Sequence, residues 1–509
     1  MSRAPYPPLS GLLLAPLTLA LALGTFMQVL DISIANVSIP AIAGDLAVSP
    51  NQGTWVITSF AVSNAIALPV TGWLARRFGE VRLFVLSTLL FSIASWLCGL
   101  AVNLPMLVTF RVIQGLVAGP MVPLSQSLLL NNYPQEKKGL ALALWAMTVV
   151  VAPIIGPIMG GWITDNLSWP WIFYINVPVG ILSSYIAWQL LGKRETETIK
   201  QPIDVVGLAL LTVGIGALQI LLDKGNDLDW FGSREIVTLA LVSGISLVFL
   251  VVWELTDKHP IIDLHLFARR NFTFGVLTLS IGYMVFFGIM VIIPLWLQTQ
   301  MGYTATWAGL VVAPIGILPV FLAPFVGRNL YKIDIRLWST LSFTVFAAVS
   351  FWYAYSINTD VTYWQLTLPR FIMGLGVVTF FVPLFALALS EIPPQQMASA
   401  TGLVTFFRIL AGSLGTSVSI TLWDRRGILH HSQLAERISA YDPLTQATLH
   451  RLGGLGLSAP ANAAFLDRGL TQQAVMLATN DLFWLSGCIF ALLIVAVWFA
   501  RPIHGGSAH

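Results

Sequence analysis

The sequence predicts an all-α polytopic membrane protein made of two six-helix bundles plus two inserted helices. Three observations support this fold class: the composition, the regular return of long apolar stretches, and an internal repeat. Of the 509 residues, 56% are hydrophobic and 10% are charged, whereas about 25% of the residues in soluble domains are charged. The chain is therefore expected to lie largely within a lipid bilayer.

About fourteen apolar stretches are long enough to span that bilayer, because a membrane-crossing helix needs roughly 20 apolar residues. The first stretch is too long for a cleavable signal peptide and lacks a small-residue cleavage site, so it counts as a helix. We predict spanning helices over 12–38, 54–75, 82–101, 105–130, 138–163, 172–192, 204–223, 235–255, 274–299, 306–328, 336–356, 366–390, 397–422 and 480–501.

The basic residues orient these helices, because cytoplasmic loops collect Lys and Arg. With a cytoplasmic N-terminus, the short outside loops hold only Lys224 and Arg234. Segment 423–479 is exempt from the charge rule by its length. We therefore expect both termini in the cytoplasm and 423–479 outside, with short helices at 434–440, 445–457 and 470–478. The net charge of +3 forms no basic patch, so nucleic acid is not an expected partner.

An internal repeat accounts for the two bundles. Arg-Val-Ile-Gln-Gly at 111–115 returns as Arg-Phe-Ile-Met-Gly at 370–374. Transporters with two rocking bundles are built from such parallel repeats. The alternative is chance recurrence of glycine-rich helices that carry an arginine. The repeat predicts an N-terminal bundle at 1–192, an inserted helix pair with cytoplasmic linkers at 193–272, and a C-terminal bundle at 273–509 that includes 423–479.

Asp31 is the one acid near the centre of a predicted helix. A carboxyl group there costs several kcal/mol to ionise, so its presence points to ion-coupled transport. All seven histidines fall in loops or the tail, which leaves a carboxyl group as the proton carrier within the bilayer. Sodium coupling stays open, because Ser33 and Asn36 could add oxygen ligands beside Asp31.

Arg111 lies well inside the fourth predicted helix, so it should face the bundle interior and contact an acceptor. Asp31 is the obvious acceptor; the alternative is an arginine that bonds to backbone carbonyls. We assign proton coupling to Asp31 and Arg111. The substrate cavity is assigned to Gln28, Ser33, Asn36, Gln114 and Met147.

Two further segments suggest a role in conformational change. In the fifth helix, Gly156, Gly160 and Gly161 remove side chains from one stripe and so allow close helix approach, while Pro157 removes a backbone hydrogen bond. An ordinary packing face is the alternative there.

The second segment, at 72–82, reads as a conformational latch, with positive-inside anchoring as the alternative. We place Arg408 of the thirteenth helix with these structural or gating groups. The assigned residues of the latch are Gly72, Arg76, Arg77, Gly79 and Arg82.

These motifs resemble those of the fourteen-helix drug:proton antiporters of the major facilitator superfamily. The likeness rests on 30–40, 72–79, 107–115 and 152–161, and segments 52–58 and 169–178 resemble the EmrB type within that family. The resemblance implies the major facilitator fold, a part for Arg111 in proton transfer, and an antiporter signature at 156–161. The general superfamily motif has an acidic residue directly after Leu-Ala. This chain has Arg76 at that position, so it departs from the residues that form the usual charge relay between the bundles.

The resemblance also implies a function: proton-coupled multidrug efflux of hydrophobic or amphipathic toxic compounds across a bacterial inner membrane. The partners it implies are an EmrA-type periplasmic adaptor that docks on 423–479 and a TolC-type outer-membrane channel; a solvated loop is the alternative. A fatty-acid, siderophore or metabolite exporter of the same fold stays open. No phosphate-binding loop or catalytic constellation is present in the sequence, so we expect neither ATP hydrolysis nor enzyme activity, and no cofactor.

Overall fold

A computed structural model describes residues 7–48, 50–199, 202, 204–257, 260–436, 438, 441–454 and 459–502. Regular structure in these ranges is entirely helical. Thirteen described helices are long and apolar enough to cross a membrane. We count Lys138–Asn166 as the fourteenth, because its 29 residues carry charge only near the two ends, at Lys138 and Asp165.

The fourteen helices are numbered along the chain. They are α1 Leu14–Asp45, α2 Trp55–Phe78, α3 Glu80–Gly99, α4 Leu104–Asn132, α5 Lys138–Asn166, α6 Trp171–Leu191, α7 Val205–Lys224, α8 Arg234–Thr256, α9 Arg270–Gln300, α10 Trp307–Asn329, α11 Ile335–Ser356, α12 Tyr363–Leu389, α13 Met397–Ala435 and α14 Ala459–Val497. We call the membrane side where α1 begins the N-terminal side, and the side where α13 ends the hairpin side.

Helices α1–α6 form one bundle, in which α1 packs on α5 and α6, and α4 packs on α2 and α3. Helix α4 is interrupted between Ala118 and Met121, where Pro120 lacks the N–H that a continuous helix needs. Hydroxyl groups join the helices of this bundle. Thr25 and Ser125 share a hydrogen bond of 2.8 Å, and both lie within 3.0 Å of the Trp145 indole nitrogen.

Helices α9–α14 form the second bundle, in which α9 packs on α13 and α11 packs on α12 and α14. Aromatic rings fill the space between these helices. Phe346 contacts Phe286, Phe380 and Phe490, with ring centroids 5.0 to 5.7 Å apart.

The two bundles meet closely at the N-terminal side. A Cβ atom on Gly72 of α2 would lie 2.7 Å from Ser399 Cα of α13, and one on Gly402 would lie 3.2 Å from Leu68 O. On the other flank, a Cβ atom on Gly327 of α10 would lie 2.8 Å from Leu140 Cα of α5. Backbones this close leave no room for a passage, so the N-terminal side is closed in this conformation.

The inserted helix α7 lies between α2 and α13 and contacts both. Near the hairpin side, Asp223 accepts a hydrogen bond from Thr58 of α2. Towards α13, Gln219 Nε2 donates to Ser413 Oγ over 3.1 Å, and Ser417 donates to the carbonyl of Leu222. The inserted helix therefore bridges the two bundles.

Segment 423–479 differs from the expected loop. Helix α13 continues to Ala435 and α14 begins at Ala459. Segment 470–478 is helical as predicted, but it is part of the long helix α14 and not a separate short helix. The short helix predicted at 434–440 is wrong in its described part, because α13 ends at Ala435. The third prediction, 445–457, overlaps the separate helix Pro443–Gly454. Residues 437, 439, 440 and 455–457 lie outside the described ranges.

The physical reason is that α13 contains no proline and that Pro460 stands in the first turn of α14, where proline is tolerated. At 39 residues each, α13 and α14 are about 58 Å long at 1.5 Å per residue, far longer than a hydrocarbon core of about 30 Å. Arg426 Nη2 and His430 Nε2 lie 2.5 and 2.7 Å from Asp481 Oδ2 and join the two helices. The segment is thus a helical hairpin that projects from the bundle.

Candidate functional site

An ion pair is buried in the first bundle. Asp31 lies near the middle of α1, and its Oδ2 is 2.5 Å from Nη1 of Arg111 on α4. Both side chains are buried, with exposures of 1% and 0%. The expected contact between the acid and the arginine is therefore present. Two opposite charges taken out of water need such a direct contact, together with further hydrogen bonds, to offset their desolvation.

Two amides complete the surroundings of the carboxylate. Gln114 Nε2 and Asn176 Nδ2 donate to Asp31 Oδ1 over 3.2 and 2.9 Å. Asn176 also donates to Ser95 Oγ over 3.0 Å, which fixes the amide between α3 and α6. The acid of α1 thus receives hydrogen bonds from α4 and α6.

Arg111 has neighbours beyond the acid. Its Nε donates to the carbonyl of Val56 over 2.9 Å, and Nη1 donates to Gln114 Oε1 over 2.8 Å. The guanidinium carbon lies 4.3 Å from the centroid of the Phe60 ring, a cation–π distance. The sequence offered either an acid or a backbone carbonyl as the partner of Arg111, and the structure contains both. Arg111 Nη2 has no hydrogen-bond partner within the described ranges.

Asn176 and Ser95 were not among the predicted site residues. Asn176 stands in the motif at 169–178 that carries part of the family resemblance, and it is a polar residue next to an apolar stretch. That position is the feature from which its role could have been inferred. Ser95 has no comparable feature, because it is one of three serines in α3.

The five predicted cavity residues do not form one group. Gln114 belongs to the hydrogen-bond network of Asp31, and Gln28 Nε2 donates to Asn64 Oδ1 over 3.2 Å. Met147 packs against the large apolar core. Ser33 lies against Gly156 of α5, whereas Asn36 is exposed.

The glycines of α5 divide into two sets. A Cβ atom on Gly156 would lie 2.5 Å from Ser33 Cβ, and one on Gly160 would lie 3.1 Å from the carbonyl of Ile34. A Cβ atom on Gly161 meets nothing within 4 Å, so placing Gly161 on the close-packed stripe was wrong. Pro157 lies inside the continuous helix α5, and its side chain is outside the described part of the structure.

An acid from the linker after α6 binds the latch segment. Glu195 accepts hydrogen bonds from the backbone N–H groups of Val81 and Arg82 over 3.0 and 2.8 Å. Carboxylates are favoured at this position because the first N–H groups of a helix are unpaired and carry partial positive charge. Gly79, with φ of 90°, makes the turn. Because a Cβ atom there would lie 2.9 Å from Glu195 Cγ, the turn requires glycine.

The arginines of this segment differ in their surroundings. The Arg82 side chain lies 3.9 Å from Glu195. Arg76 Nε is buried without a hydrogen-bond partner in the described ranges. Arg77 is half-buried in the last turn of α2.

Arg370 repeats the position of Arg111 in the second bundle. Its Nη1 lies 3.1 Å from Met290 Sδ of α9 and 3.7 Å from Met373 Sδ, and its Nη2 donates to Ile289 O over 3.2 Å. Met290 and Met373 take the places that Asp31 and Gln114 have around Arg111. The repeat thus keeps the arginine and replaces its carboxylate by thioethers.

The fold and the site together define a polytopic helical membrane protein with a buried acid–arginine pair between helices. The sequence model of the Major Facilitator Superfamily matches residues 21–416, and the chain belongs to that superfamily. It is therefore a transporter and not an enzyme.

Curated relatives match along the full chain. Multidrug export protein EmrB of Haemophilus influenzae is 53% identical over 504 residues, with 99% of each chain covered. EmrB of Escherichia coli K12 is 52% identical over 507 residues, again with 99% of each covered. Fatty acid resistance protein FarB of Neisseria gonorrhoeae is 50% identical over 506 residues, covering 99% of this chain and 100% of FarB. The predicted family is confirmed.

Solved structures agree on the fold. The proton:xylose symporter XylE superimposes with a TM-score of 0.63 at 15% identity, covering 97% of each chain. The human organic anion transporter MFSD10 gives a TM-score of 0.59 at 11% identity, covering 95% of this chain and 99% of MFSD10. At these identities the likeness shows the fold alone, and the predicted major facilitator fold is confirmed.

Proposed function

We propose that this transporter is a proton-coupled antiporter that exports hydrophobic or amphipathic toxic compounds. The buried pair of Asp31 and Arg111 is the observation that carries the proposal, because intramembrane ionisable groups mark proton and ion pathways. The relatives named for multidrug export and fatty acid resistance support export as the direction. Protonation of Asp31 would remove the charge that holds Arg111, so proton binding and helix packing are linked.

The groups around Asp31 favour a proton over sodium. Its carboxylate faces three N–H donors, from Arg111, Gln114 and Asn176. Sodium needs oxygen ligands and would be repelled by a guanidinium at 2.5 Å. The exposed Asn36 supplies no ligand beside the acid.

We propose alternating access as the mechanism, with 1–192 and 273–509 as the two moving bodies and 193–272 as the inserted pair. The close contacts of Gly72 with Ser399 and of Gly327 with Leu140 would separate when the N-terminal side opens. Through the glycine contacts between α5 and α1, a change in the protonation of Asp31 on α1 would alter the packing inside the first bundle.

An exporter of fatty acids is the second candidate, and the FarB relative at 50% identity favours it. The siderophore and metabolite alternatives have no comparable observation. A compound panel that contains fatty acids, uncouplers and cationic drugs separates the candidates, when resistance is compared in cells with and without the gene.

We place the protein in a bacterial inner membrane with both termini in the cytoplasm, so that the hairpin of α13 and α14 projects into the periplasm. The hairpin then offers a docking surface for an EmrA-type adaptor, which would connect to a TolC-type channel. Two long helices joined by Asp481 form a rigid surface of the kind that a partner protein can bind.

The test is transport of the compound panel in proteoliposomes with either an imposed pH gradient or an imposed sodium gradient. We expect the pH gradient alone to drive accumulation. Transport that follows the sodium gradient at constant pH would contradict proton coupling.

A further inference from the structure

We propose that Arg408 binds the anionic head group of amphipathic substrates and so determines a preference for lipophilic carboxylates over cations. This inference rests on the proposed export function and names a specificity-determining residue within it.

Three buried arginines in the described ranges can be compared. Arg111 is paired with Asp31. Arg370 donates to the carbonyl of Ile289 and to two thioether sulfurs. Arg111 Nη2 and Arg370 Nε are also buried without a hydrogen-bond partner in the described ranges. Arg408, with 3% exposure, has two such nitrogens, Nε and Nη1.

The charge of Arg408 is also uncompensated by its own bundle. Helices α9–α12 contain no Asp or Glu. The acids of α13 and α14, which are Asp424, Asp467 and Asp481, lie towards the hairpin side, where Asp481 pairs with Arg426 and Asp467 with His431. A buried cation without a counter-ion is strongly unfavourable. A ligand that supplies a carboxylate would offset that desolvation and pair with the free donors.

Aromatic rings form the surroundings of the guanidinium. Its central carbon lies 5.1 Å from the ring centroid of Tyr283 on α9 and 5.8 Å from that of Phe385 on α12. Such rings hold the cation in place by cation–π attraction and leave its N–H groups free. They also offer apolar contact for the alkyl or aryl part of an amphipathic acid.

The position of Arg408 fits a substrate site between the bundles. Phe385 packs edge-on against Trp145 of α5, with centroids 6.0 Å apart, so one ring contacts both Arg408 and the first bundle. Helix α13 itself packs on α2 and α4 of that bundle. Movement of the bundles therefore changes access to Arg408, whereas Arg370 has its acceptors on α9 and α12 within the second bundle.

The test measures binding of three ligands with the same tail: octanoate, octanamide and octyltrimethylammonium. The full chain is placed in nanodiscs without any gradient. We expect the unmodified protein to bind octanoate most tightly and the ammonium ion least. Arg408→Gln removes one charge-assisted contact and should weaken octanoate binding about tenfold. The affinity for octanamide should change much less. The octanoate affinity of Arg408→Lys should lie between those of the unmodified protein and Arg408→Gln.

The matched control is Arg336→Gln, which removes a cation of the same bundle that already pairs with Asp334 at 2.7 Å; it should leave all three affinities unchanged. Equal losses for octanoate and octanamide in Arg408→Gln would show a packing role and overturn the proposal. If the variant does not fold, the ligand order in the unmodified chain still decides, and equal affinity for anion and cation would overturn the proposal. The binding measurement uses no gradient. A negative result would therefore contradict the role of Arg408 without testing proton-coupled export, which the proteoliposome experiment tests separately.

Discussion

The carboxylate of Asp31 has few ways to change its charge without moving its neighbours. Arg111 holds one oxygen, and the amides of Gln114 and Asn176 hold the other. A proton on Asp31 would turn one acceptor oxygen into a donor facing N–H groups, so at least one of these contacts would have to break. Charge at a single residue is thereby coupled to the relative positions of α1, α4 and α6.

Asn176 should matter for transport through its hydrogen bond to Asp31. Its replacement by alanine removes a hydrogen bond to a charged group, and we expect gradient-driven turnover to fall about tenfold with little change in substrate affinity. The matched control is Asn166→Ala, because Asn166 is exposed and donates to the carbonyl of Trp162 at the end of α5, away from Asp31. Unchanged turnover in Asn176→Ala would remove it from the coupling network.

The individual helices show how much of the site could be predicted from sequence. Asp31 and Arg111 were found because charge inside an apolar helix is rare and must be paired. Asn176 was missed because an amide is uncharged and does not require a buried partner as a charge does, although its place in the motif at 169–178 could have pointed to it. The projecting ends of α13 and α14 were missed because their polar surfaces do not look like spans, although no proline ends either helix.

The contact between α5 and α1 gives a prediction for one element. Gly156→Ala would place a Cβ atom 2.5 Å from Ser33 Cβ and push the helices apart, so we expect turnover to fall far more than substrate binding; Gly156→Leu should do so more strongly. Gly161→Ala is the matched control, because that Cβ atom meets nothing within 4 Å. Adding Ser33→Gly to Gly156→Ala should restore part of the turnover. Equal loss in both glycine variants would contradict the close-approach interpretation.

The hairpin gives a second prediction at this scale. Replacing 427–477 by a short Gly/Ser linker should leave gradient-driven transport in proteoliposomes measurable, because Asp31 and Arg111 are in the other bundle. In whole cells we expect loss of resistance and of co-purification with the adaptor. Normal resistance and normal adaptor recovery after the deletion would show that the hairpin is only a connector.

The whole molecule is held in a conformation that is closed at the N-terminal side. The contacts of α2 with α13 and of α5 with α10 depend on glycines whose partners lie on the other bundle, which a sequence without an alignment could not reveal. The repeat predicted two bundles, and the superfamily match and the fold agree with it. Which surfaces the bundles present to each other follows only from three-dimensional packing.

This closed side can be locked. A Cβ atom on Gly402 would lie 3.5 Å from Thr71 Cβ, within the range of about 3.5 to 4.5 Å for a disulfide. The double variant Thr71→Cys/Gly402→Cys should therefore form a disulfide on oxidation, lose transport, and recover it on reduction, while each single variant is insensitive to oxidant. Full cross-linking with undiminished turnover would contradict alternating access through this contact.

Substrate-induced proton movement in proteoliposomes tests the central claim most directly. Addition of a transported compound to proteoliposomes with the unmodified protein should cause a measurable flux of protons across the membrane. Asp31→Asn should abolish that flux while the protein still inserts and binds substrate. Asp45→Asn, which changes an exposed acid at the end of the same helix that accepts a hydrogen bond from Trp169, should leave the flux intact. A normal proton flux in Asp31→Asn at full expression would contradict the assignment of Asp31 as the proton-binding group.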